Sequence, residues 1–116
     1  NAEGFVAECT GDNLFIVRNG QLYTPPLSAG ALRGITRSVV IELARAQGWP
    51  VAEPSLTRYD LFTADECFLT GTGAELIPVV KIDGREIGTG RPGPVTQELE
   101  RRYRQLARTT GTPIDR

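Results

Sequence analysis

The sequence predicts an α/β fold built on a mixed, barrel-like sheet, and three observations lead there. Strand-forming runs separated by Gly, Asn and Asp pairs open the chain. Two longer segments further on carry apolar residues at helical spacing. Short apolar runs return between and after those segments, so strands alternate with helices and both antiparallel and parallel pairs are expected. With 116 residues there is room for one domain around a single core. The 13 glycines and 8 prolines call for frequent turns.

Each element follows from local chemistry. Residues 4–10, 13–18 and 21–24 are rich in strand formers and predict a small antiparallel meander. Asn19-Gly20 suits a tight hairpin because both residues accept positive φ, whereas Gly11-Asp12 is the reversed and weaker pair. Pro25-Pro26 ends the meander, and residues 27–34 are loop. Between 35 and 47, Ile35, Val39, Leu43 and Ala46 form one stripe, widened by Val40, Ile41 and Ala44, and predict a mostly covered helix stopped by Gly48. Residues 51–55 follow as a strand, and a short helix is expected over 57–65, capped by Ser55 or Thr57 with Asp60 near its positive end. Residues 67–70 read as a strand. Residues 76–82 read as a second one, at an edge or with a bulge around Pro78. Asp83-Gly84 makes a turn, and residues 88–94 form a Gly/Pro loop. In the last helix Val95, Leu99, Tyr103 and Leu106 mark the dry side and Glu98, Glu100, Arg101, Arg102, Arg104 and Arg108 the wet one, with fraying from Thr109 onward.

Composition excludes several functions. Thirteen Lys and Arg against fourteen Asp and Glu give a net charge of −1, without the field a nucleic-acid binder uses to collect phosphates. No apolar run approaches the ~20 residues a membrane span needs, so a cytoplasmic protein without membrane contact is expected. The absence of histidine removes Ser-His-Asp catalysis and histidine-held metals, and no metal site is expected. Cys9 and Cys67 are expected to be a buried, reduced pair. The absence of methionine and the strand-like opening at Asn1 predict that the chain is a fragment.

Three Gly/Thr-rich stretches could serve an anion. Gly34-Ile35-Thr36 brings unpaired amides and a hydroxyl to the positive end of a helix, although any loop-to-helix junction does as much. Residues 70–74 form a small-residue strand exit where a ligand could approach the backbone and Thr72 could bond it; a plain tight turn is the equal alternative. Residues 88–94 are short of donors and read as structural loop. Glu8, alone on its strand, reads by position as solvent-facing. Lys81, the sole lysine, invites a Schiff-base reading, but a solvated strand end before the Asp-Gly turn accounts for it.

Taken together, residues 7–15, 22–26 and 31–37 (Ala7-Glu8-Cys9-Thr10-Gly11-Asp12-Asn13-Leu14-Phe15, Leu22-Tyr23-Thr24-Pro25-Pro26 and Ala31-Leu32-Arg33-Gly34-Ile35-Thr36-Arg37) strongly resemble the signature of the class IV, fold-type-IV pyridoxal-phosphate aminotransferases. Residues 64–75 and 83–96 resemble the branched-chain amino-acid branch. The resemblance implies that residues 1–116 are the C-terminal portion of the large cofactor-binding domain. By it, Glu8 pairs with the pyridine nitrogen of pyridoxal 5'-phosphate, Leu32 packs on the ring face, and Ile35, Thr36 and Thr72 hold the phosphate. The amides of Thr72 and Gly73 match those that hold the substrate carboxylate. Many relatives have alanine at Gly73, and Arg33 is often proline or another residue. The Schiff-base lysine, the opposing phosphate arginine, a tyrosine beside the cofactor hydroxyl and a smaller N-terminal domain are implied upstream of Asn1, and Lys81 aligns with none of them.

The activity so implied is ping-pong transfer of the amino group of leucine, isoleucine or valine to 2-oxoglutarate by a homodimer. The chain by itself is expected to be inactive, since it lacks the lysine. Within the same fold the alternatives are an aminodeoxychorismate lyase and a D-amino-acid aminotransferase. A non-catalytic fragment held by a partner chain is the alternative of a different class.

Overall fold

The computed structural model describes residues 13–26, 35–70 and 76–110. The predicted strand at 4–10, the loop at 27–34, the stretch at 71–74, Cys9 and the tail from 111 onward lie outside the described residues. The elements are β1 (Asn13–Arg18), β2 (Gln21–Tyr23), α1 (Ile35–Ala46), β3 (Val51–Ala52), α2 (Arg58–Phe62), β4 (Glu66–Thr70), β5 (Leu76–Pro78), β6 (Lys81–Ile82), β7 (Arg85–Glu86) and α3 (Pro94–Thr110). Five strands make a mixed sheet in the order β3-β2-β1-β4-β5; β6 and β7 form a separate hairpin. The β2–β3 pair is parallel and the other three are antiparallel. Among the described residues the sheet is open, with β3 and β5 at its edges.

β1 is central because it can be buried on both faces. Alternate side chains of a strand point to opposite faces. Phe15 and Val17 therefore join Leu22, Phe68 and Leu76 beneath Val40, Ile41 and Ala44 of α1 and Leu99 of α3. Leu14 and Ile16 join Cys67 on the other face against Leu56, Leu61, Ala64 and Ile87. A strand covered on both sides needs no polar alternation, and Leu14-Phe15-Ile16-Val17 has none. Phe15 lies directly opposite Phe68, and the rings stack 5.0 Å apart and 6° from parallel.

The predicted turns are formed by the predicted residues. Asn19 and Gly20 have φ of 53° and 76°, the left-handed pair that a two-residue hairpin with the twist of its strands requires. Asp83 and Gly84, at 52° and 79°, repeat the device between β6 and β7. Past α1, Gly48 (φ 86°) donates to the Arg45 carbonyl and Trp49 to that of Ala44, both at 3.0 Å, which closes the helix end. Thr57 caps α2 as expected, in a reciprocal pair with Asp60.

Four expectations need correction. The buried face of α1 centres on the residues expected to widen the stripe and not on Val39, Leu43 and Ala46. The core side chains are Val40, Ile41 and Ala44, Leu43 only flanks them, and Ala46 is exposed. The apolar arc is wide enough for either choice, and the sheet selected the arc that also buries Thr36 and Arg37. The strand expected over 76–82 is two: β5 ends at Pro78, which pairs with Phe68 at the sheet edge, and β6 starts a different sheet at Lys81. Proline cannot donate to a ladder, so the chain leaves the sheet there. β3 spans only Val51–Ala52, and α2 only Arg58–Phe62. On the other side, Cys67 is buried, as expected.

Candidate functional site

One end of the sheet gathers the segments that carry the candidate residues. β1 starts there, while β2, β3 and β4 finish there, because β1 runs antiparallel to β2 and β4, and β3 runs parallel to β2. Asn13 and Thr70 are register partners, and Thr70 also faces Leu76. The sheet therefore brings together the described residue that follows the 4–12 stretch and those that flank the 71–75 stretch. Thr24, buried just past β2, donates its hydroxyl to the Leu14 carbonyl at 2.7 Å and holds the β2 exit to the same end.

The N-terminus of α1 arrives beside that exit. Arg37 in its first turn donates from Nη2 to the Pro25 carbonyl at 3.3 Å and pairs with Glu53 Oε1 at 2.9 Å. Thr36 is buried with it. The first turn of α1 holds no acidic residue, so its amides and the positive end of its dipole have no carboxylate of their own. A buried hydroxyl, first-turn amides and a nearby guanidinium form a donor set suited to a phosphate monoester or a similar anion.

The other two helices differ. The amides of α2 are satisfied locally, with Asp60 N to Thr57 Oγ1 at 3.3 Å and Thr57 N to Asp60 Oδ2 at 2.9 Å. Those of α3 are satisfied from afar. Glu66 on β4, 6% exposed, accepts from Thr96 N and Thr96 Oγ1, both at 2.7 Å, and from Val95 N at 3.1 Å. Gly93 completes this closure, for a Cβ there would fall on the Glu66 carboxyl group. Gly93 thus gives one end of the 88–94 loop a structural role.

Of the predicted site residues, the structure describes Thr36 and the backbone of Ile35, adjacent at the start of α1. Glu8, Leu32, Thr72 and Gly73 lie outside the described residues. Lys81 is exposed at the start of β6, opposite Glu86, in the separate hairpin. Among the described residues no group of three His, Cys, Asp or Glu side chains could hold a metal. No described helix is long and apolar enough to cross a membrane. Sequence reasoning missed Arg37, Glu66 and Thr96 as buried polar residues. A signal for the last two existed: Pro94 opens α3 behind Gly93, which has no side chain with which to cap it.

Comparison with known proteins gives consistent matches. The model of the family described as amino-transferase class IV matches residues 1–82. A putative branched-chain-amino-acid aminotransferase of Methanocaldococcus jannaschii is 49% identical over 112 residues, covering 97% of this chain and 39% of that protein. The branched-chain-amino-acid aminotransferase of Pseudomonas aeruginosa is 47% identical over 104 residues, covering 90% and 34%. Among solved structures, the Escherichia coli branched-chain amino acid aminotransferase superposes with a TM-score of 0.76 at 47% identity, over 83% of this chain and 32% of that one. The Thermobaculum terrenum branched-chain amino acid aminotransferase, in its PLP form, gives 0.76 at 45%, over 84% and 32%. The chain thus spans between a third and two fifths of the length of these curated relatives.

Proposed function

We propose, from the premise that this chain belongs to the class IV aminotransferase family, that the whole protein is a pyridoxal-phosphate-dependent branched-chain amino-acid aminotransferase. Its reaction moves the amino group of leucine, isoleucine or valine to 2-oxoglutarate in two half-reactions. The observation that carries the reading is 49% identity across 97% of the chain with a putative enzyme of that name. The described residues fit one end of the cofactor: the acid-free first turn of α1, with buried Thr36 and Arg37, suits a phosphate dianion.

The chain's own residues would then divide the work. Amides of Ile35 and Thr36, with the hydroxyls of Thr36 and Thr72, would bind the phosphate. Leu32 packs on the ring face and excludes water from it. Glu8 holds a proton on the pyridine nitrogen, and the amides of Thr72 and Gly73 orient the substrate carboxylate. When bound, the cofactor supplies an electron sink for the pair released as the substrate Cα–H bond breaks. The resemblance assigns the lysine that takes that proton to a part of the protein outside these residues, and the exposed hairpin position of Lys81 agrees with its having no such role. Residues 1–116 form the C-terminal part of the cofactor-binding domain of a homodimer, and alone they are inactive. With two cysteines in all and Cys67 buried in the core, the chain suits a reducing compartment such as the cytoplasm.

The test is a half-reaction with the full-length protein. L-leucine should convert bound cofactor to its amine form, while D-alanine and aminodeoxychorismate should not. Preferential turnover of either of those two would replace the reading with a D-amino-acid aminotransferase or a lyase. Sedimentation of the same sample tests the dimer. For the 116-residue chain alone, a stoichiometric cofactor adduct fixed by borohydride onto Lys81 would overturn the residue assignment.

A further inference from the structure

Arginine is rarely fully buried, and when it is, paired groups surround it. Arg37 is 6% exposed. Its side chain leaves the first turn of α1, and helical side chains lean toward the N-terminal end of their helix. There one nitrogen, Nη2, meets both the Pro25 carbonyl at 3.3 Å and Glu53 Oε1 at 2.9 Å. Pro25 lies just past β2 and Glu53 just past β3, the two strands that pair in parallel. A single guanidinium therefore ties the start of α1 to the ends of two neighbouring strands. Nε is buried and has no partner among the described residues.

This arrangement is a poor way to gain stability. Only Arg37 is buried, for Glu53 is solvent-exposed, so the pair reaches water and contributes little, while the buried Nε without a partner among the described residues costs stability. What the pair supplies is a fixed geometry. Glu53 also cancels the charge of Arg37, so the guanidinium acts on an anion through placement more than through attraction. We infer that Arg37, held by Glu53 and the Pro25 carbonyl, is a positioning residue that sets where the first-turn amides of α1 and the Thr36 hydroxyl meet the cofactor phosphate. The inference rests on the pyridoxal-phosphate reading above.

The experiment uses cofactor-free full-length protein and three probes: pyridoxal 5'-phosphate, inorganic phosphate and pyridoxal, which lacks the phosphate. Arg37→Leu should weaken the first two about tenfold, the lower end of what loss of a supporting residue costs a bound group. It should leave pyridoxal affinity and the unfolding midpoint near those of the parent. Glu53→Gln should weaken the same two probes to a smaller degree. The inference is overturned if Arg37→Leu binds all three as the parent does, or if it weakens pyridoxal equally, which marks a general structural role. It is also overturned if Glu53→Gln tightens phosphate binding, since an unneutralised guanidinium would then be acting by charge. That arm decides the matter even if Arg37→Leu does not fold. A parent protein that binds neither phosphate-bearing probe defeats the functional reading itself, a result distinct from a parent that binds both and variants that match it.

Discussion

The N-termini of α1 and α3 present the same physics with opposite outcomes. Each helix begins with unpaired amides at the positive end of its dipole, and neither carries an acidic residue in its first turn. At α3 the protein fills the vacancy with its own anion: the Glu66 carboxylate, 29 and 30 residues away in sequence, takes two amides and a hydroxyl and is sealed by Gly93. At α1 no described carboxylate takes the amides. The one beside it, Glu53, is held by Arg37. The difference separates an anion site used to assemble the fold from a helix start that no described carboxylate closes, the one proposed above for the cofactor phosphate. It also shows why a helix N-terminus in a sequence says little until its partner is known.

The largest effect that sharpens this contrast is expected from Glu66→Ala. Losing three charge-assisted bonds inside the protein should cost about 3 kcal/mol, read by urea unfolding of the whole protein, while phosphate affinity stays within a factor of about two. An unchanged stability would mean that α3 does not depend on its borrowed carboxylate. Thr36→Val is the mirror experiment. It keeps shape and burial, so unfolding should move little, but affinity for pyridoxal phosphate should fall about tenfold, the share of one hydrogen bond to a charged group. A variant that loses stability and keeps affinity would place α1 in the same class as α3.

α2 supplies a third, self-contained case and a smaller effect. Thr57→Ala removes the hydroxyl that accepts from Asp60 N, leaving the Thr57 N–H to Asp60 Oδ2 arm in place, and should cost about 1 kcal/mol of stability, with no change in phosphate affinity. Smallest of all is the surface of α3. The Glu98 carboxyl is held below its ordinary value of 4.5, first by its hydrogen bond to Arg101 and then by that to Arg102. A carboxyl that ionises more readily when folded contributes stability above its unfolded value, and this is lost as pH falls through the lower, folded value. Glu98→Gln should therefore flatten the acid side of the midpoint-against-pH curve slightly, and salt should shrink even that difference.

Much of the fold was legible because its signals are local. Asn19-Gly20 and Asp83-Gly84 each needed only their own backbone preferences to form a turn. Leu99 and Tyr103 are buried where a 3.6-residue period puts them. On α1 the residues expected to widen the stripe became its centre, because the apolar arc is broad, and the buried side includes an arginine that no hydropathy argument would turn inward. The break after Pro78 was half visible: the proline argued for an edge, but nothing nearby told that the next residues would join another sheet.

The same division holds for the site. The residue types at 35 and 36 and their place at the start of a helix follow from the chain's own order, as do the strand runs, the tight turns and the wet and dry sides of α3. These depend on contiguous residues, whose torsions and periodicity need no distant partner. Only the folded molecule decided that Glu66 closes α3, that Arg37 is buried across Pro25 and Glu53, and that the ends of β2 and β3 meet where α1 begins. The cost of burying a charge is set by the group opposite it, and that group is reached only when segments far apart in the chain are packed against one another.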